Sequence, residues 1–121
     1  MTTWRNLTGA DRRLLNDVLH GRRPHSDIQQ LPPEKLDAAI DYYRATGTTP
    51  HGNLPKELIR DYNQARIDYL RTGKGQPPGG IYDFAEGWLK NQSRQWLDAN
   101  RTTVDELRQT IDRLRQRARG G

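Results

Sequence analysis

Apolar residues in this chain recur every three or four positions and nowhere alternate every two over a useful length. That spacing belongs to helices buried along one stripe. Valine and isoleucine, the residues that favour strands, are scarce. The expected fold class is therefore all-α. The pattern divides into about five helices, arranged up and down as one domain over 1–121.

Local signals place the helices. Thr8 reads as a cap with Asp11 in the first turn, and Ala10, Leu14, Leu15, Val18 and Leu19 form the first stripe, ending near Gly21. A connector runs from Arg22 to Leu31, with a short helical turn from Ser26. Pro32 and Pro33 open the second helix, whose inner face is Leu36, Ala39, Ile40 and Tyr43. The third is expected from Asn53, lined by Leu58, Tyr62, Ala65 and Tyr69 and stopped by Gly73. The fourth is expected to run unbroken from Ile81 to Asn100, with Ala85, Trp88, Leu89, Gln92 and Trp96 inward. Gly87 inside it costs roughly 1 kcal/mol relative to alanine, which suggests close packing against a neighbouring helix. The fifth helix, 103–118, is expected to be capped by Thr102 or Thr103.

Two connectors rich in glycine and proline, 47–55 and 72–80, bracket the third helix. Each carries a lone ionisable side chain, His51 in the first and Lys74 in the second. The helix between them is roughly 27 Å long at 1.5 Å per residue, so these two groups lie at opposite ends and do not share one small site. The second connector has glycines and a lysine but lacks the order and the preceding strand of a phosphate-binding P-loop.

Charge suggests the partner. The net charge is +5 and the basic residues are mostly arginine, whose planar fork binds phosphate and carboxylate bidentately. A genome that favours arginine over lysine explains part of that bias. If neighbouring helices are antiparallel, Arg22, Arg23, His25, Lys74, Arg113, Arg115, Arg117 and Arg119 gather at one basic pole, with His20 beside them. The function expected first is nucleic-acid binding through phosphate contacts at that pole. Cations at the end of the fifth helix also complement its dipole without any ligand.

Two further functions fit the residues. One is a metal-independent ribonuclease of bacterial toxin type, with histidine as general base and arginine stabilising the phosphorane. Its candidates are Arg13, His20 and His51. Arg13 and His20 stand seven apart, a spacing that resembles the arginine–histidine motif of the HEPN ribonucleases, all-helical domains that pair two such motifs in a dimer. That resemblance covers the motif alone, and Leu14 stands where the family commonly has a polar residue. The other function is a protein adaptor or inhibitor acting through the seam Val104, Leu107, Ile111 and Leu114, by partner docking or homodimerisation.

Several classes are excluded or not expected. The chain has no cysteine, so disulfides, thiolate zinc sites and a cysteine nucleophile are absent. His20, His25 and His51 have no metal-ligand spacing, and neither metal nor cofactor is expected. No apolar run suits a membrane span or a signal peptide, so the expected location is the cytoplasm of a bacterial or phage-infected cell, with leaderless export left open.

Overall fold

Thr8 opens helix α1 (Gly9–Leu19) with a reciprocal cap: its side chain accepts from the Asp11 N–H, and Asp11 accepts from the Thr8 N–H, each at 3.0 Å. Asp11 also takes a 2.7 Å bond from the Lys35 ammonium, which ties the start of α1 to helix α2 (Pro33–Ala45). These bonds hold the Asp11 carboxyl below its ordinary value, the Lys35 bond contributing most. The computed structural model describes residues 4–45 and 54–120. The connector at 46–53, with His51, lies outside the described residues; the third long helix, expected from Asn53, begins only at Lys56, because Leu54 is not helical and Pro55 is extended at its cap.

The described residues are all-α, with no strand among them. After α2 come α3 (Lys56–Thr72), α4 (Ile81–Lys90), α5 (Arg94–Ala99) and α6 (Arg101–Gly120), with 3-10 turns at Trp4–Asn6 and His25–Gln30. No helix among these residues is long and apolar enough to cross a membrane.

Helix α3 organises the packing, touching α1, α2 and α4, while α6 packs on α4 and α5. The core correspondingly has two clusters. Ile67, Tyr69 and Leu70 of α3 join the α1 and α2 stripes in one. Leu58 of the same helix joins Ala85, Trp88, Leu89, Val104, Leu107 and Ile111 in the other. Burying a leucine side chain stabilises by about 1.5–3 kcal/mol, so α3 is anchored from both ends.

Further expectations are corrected. The fourth helix is not continuous to Asn100. It stops at Lys90, and Ser93 accepts from the Trp96 N–H at 3.1 Å to begin α5. A serine cap competes effectively there because the preceding turn already closes on itself, with the Asn91 N–H donating to the Trp88 carbonyl at 3.1 Å. The break lets Trp96 meet Trp88 edge-on at 5.1 Å. The last helix begins at Arg101, ahead of the threonines expected to cap it, and the Asn100 carbonyl accepts its first bond from Val104. Gly87 is exposed, and a Cβ there would meet nothing within 4 Å, so it admits no close helix contact. Within α3 the inner line also departs from expectation: Ile67 is buried, whereas Ala65 is only half-buried.

Candidate nucleic-acid interface

The connectors after α1 and after α3 meet at one end of the bundle. The Gly79 N–H donates to the Leu19 carbonyl at 2.9 Å, and Pro77 stands beside Gly21. His25 reaches across and donates from Nε2 to the Leu70 carbonyl at 2.9 Å, satisfying a group left open at the C-terminal end of α3. Its ring meets Tyr69 edge-on and lies over Gly73, whose φ of +66° ends the helix. A Cβ on Gly73 would stand 2.6 Å from that ring. His20 donates from Nδ1 to the Asn16 carbonyl of its own helix at 2.8 Å.

Two of the cations gathered here bring their own counter-charges. Arg22 pairs with Asp17 and Arg23 with Asp27, both at 2.9 Å. Asp83 stands beside Gly79 and Gly80. Lys74 is exposed, and its backbone N–H donates to the Thr72 hydroxyl.

The end of α6 is built differently. Asp112 is its last acidic residue, and Arg113, Arg115, Arg117 and Arg119 follow with no carboxylate among them. Every residue from 112 to 119 is exposed. Arg115 pairs with Glu86 of α4, and Arg113 donates to the Thr110 hydroxyl at 3.2 Å. Arg117 and Arg119 have no ion pair among the described residues. At 100° per residue, Arg113 and Arg117 lie along one edge of the helix and Arg115 and Arg119 along the other. Leu114, 41% exposed, and Ala118 lie between these edges. The Arg115–Glu86 pair, with Val104 grouped among residues of α5, shows that α6 runs back along α4 toward the connector end.

The seam read from sequence is mostly internal. Val104, Leu107 and Ile111 are buried in the second core cluster, which leaves Leu114 as its exposed member. Of the catalytic candidates, His51 lies outside the described residues. Arg13 is exposed, with Nε directed at the Gly9 carbonyl 3.5 Å away. It stands about 10 Å along α1 from His20, two turns away. Among the described residues no cluster of histidine and carboxylates is arranged to hold a metal.

Sequence reasoning missed Arg66. Its guanidinium stacks on the Tyr43 ring at 4.0 Å and the Tyr62 ring at 4.6 Å, and it donates to the Asn63 amide. Its buried Nε has no hydrogen-bond partner. Burial holds the two phenols above their ordinary value and the guanidinium below its own. The signal was present, because Arg66 follows Tyr62 by four positions and therefore shares the inner face of α3.

The chain matches no family model, no curated protein and no solved structure. Its geometry and chemistry alone therefore carry the functional reading.

Proposed function

We propose that the protein binds nucleic acid through phosphate contacts made by the arginine-rich end of α6. The observation that carries this reading is the run 113–119, with four exposed arginines and no acidic residue. A carboxylate within reach would compete with phosphate for each fork, as Asp17 and Asp27 do at Arg22 and Arg23. At Arg117 and Arg119 no such competitor is present among the described residues. Arginines on both edges allow the helix to engage backbones on either side, as a helix lying in a duplex groove does. The contacts proposed are to phosphates, which carry no sequence information, so binding follows charge rather than sequence.

Fluorescence anisotropy at several salt concentrations tests this. Four phosphate contacts give a log–log slope near −3.6 on duplex DNA, at about −0.9 per contact. Replacing Arg117 and Arg119 with alanine reduces the slope by about 2. Arg101→Ala serves as the control, since Arg101 begins the same helix about 21 Å from Arg115 and lines a groove with Asp98 and Asp105. Unchanged binding by the Arg117/Arg119 variant would refute the reading.

A further inference from the structure

Helices α2 and α3 leave an open groove of about 410 Å³ between them. Its rim carries Arg44, Lys56 and Arg60, and none of its lining residues is acidic. Arg44 and Arg60 do have nearby carboxylates, Asp41 at 3.5 Å and Asp61 at 3.3 Å. These are solvated pairs of little strength, and the other oxygen of Asp61 is held by the Trp88 indole at 2.7 Å. Lys56 has no ion pair among the described residues. It opens α3, where the helix dipole adds positive potential that Glu57 of the first turn offsets in part.

The rest of the lining is neutral and suited to a ring. Half-buried Ile59 gives it an apolar wall, backed by the core residues Tyr43 and Ile67. Asn63 and Gln64 add two amides, each already committed at one end. The Asn63 oxygen accepts from Arg66, which leaves its NH2 as a donor. The Gln64 nitrogen donates to Asp68 at 2.9 Å, which leaves its oxygen as an acceptor. Arg66 is itself fixed by stacking between Tyr43 and Tyr62, so the Asn63 amide is oriented before any ligand arrives. One groove therefore combines cations for a phosphate, an apolar wall for a base face, and a donor and acceptor for a base edge.

We propose that this groove binds a nucleoside phosphate, either free or at the end of a strand. Its volume falls within the ~300–1,000 Å³ usual for small-molecule sites. Lys56 lies about 24 Å along α3 from Thr72, so the site is separate from the connector end and does not depend on the α6 reading.

The test uses the full chain with a fluorescent adenosine triphosphate analogue, inorganic phosphate, and a short RNA with or without a 5′-phosphate. Lys56 and Arg60 are exposed, so Lys56→Glu with Arg60→Glu leaves the fold intact, which circular dichroism checks. The proposal expects this pair to weaken nucleotide binding by roughly tenfold or more. Arg101→Ala, on α6 beside Asp98 and Asp105 and outside both proposed sites, leaves nucleotide binding unchanged. Binding of the free nucleotide assigns a soluble ligand; an RNA whose affinity depends on its 5′-phosphate assigns a strand end. A nucleotide held no more tightly than inorganic phosphate overturns the proposal, as does equal nucleotide binding by the Lys56/Arg60 variant.

Discussion

The connector end and the tail of α6 are both rich in cations, yet they differ in what those cations touch. At the connectors and around α1, Arg22, Arg23 and Lys35 each hold an aspartate, and His25 is packed over Gly73. On the tail of α6, Arg117 and Arg119 face solvent without a counter-charge among the described residues. The first region uses charge and glycine to join chain segments. The second leaves charge available, and little of the fold rests on it. Net charge alone does not distinguish these uses, because it counts a paired arginine and a free one equally.

The largest expected effect breaks that contrast through stability. Gly73→Ala forces a side chain into a left-handed backbone and against the His25 ring, and it should cost about 2 kcal/mol or more. Alanine at Arg113, Arg115, Arg117 and Arg119 together should change stability by only about 0.5 kcal/mol, since these are exposed positions on a good helix former. Urea unfolding of both variants checks the pair. A tail variant as unstable as Gly73→Ala would mean that the α6 arginines hold the fold.

A smaller effect of opposite sign is expected at Gly87. It is exposed inside α4 with space around it, so Gly87→Ala should stabilise by roughly 0.5–1 kcal/mol. A loss of stability in thermal melts would show that the glycine is needed for packing after all.

The least effect sharpens the account of paired charge. The Asp11 carboxyl titrates below its ordinary value because Lys35 and Thr8 bond its ionised form. A depressed carboxyl contributes stability that is complete above its unfolded value, about 3.9, and is lost as the pH falls through its folded value. Lys35→Met removes the largest cause, so the variant should lose less stability than the parent between about pH 4 and 2. Denaturant midpoints across that range measure it; identical acid profiles would show that the Lys35 bond has no energetic weight.

Much of the fold was legible because its signals are local. The Thr8 cap, the α1 stripe, the proline entry to α2 and the Gly73 stop each depend on neighbours within a turn or two. The break at Ser93 was hidden by an aromatic pattern that runs through it, although the serine itself was a visible cap. Gly87 misled because a glycine shows that close packing is allowed, not that a neighbour is there. Of the candidate sites, the arginine run on α6 was readable as a run. The α2–α3 groove was not, since its lining comes from two helices and its cations look like ordinary solvated side chains.

By itself, then, the sequence determined the helical class, most helix ends and the surplus of arginine, because periodicity, caps and charge are properties of short segments. Only the tertiary structure decided which arginines have partners, that Arg66 is stacked between two tyrosines, and that Val104, Leu107 and Ile111 are spent on the chain's own core. Those outcomes depend on what another helix brings within a few ångströms, and residue spacing along one chain does not encode that distance.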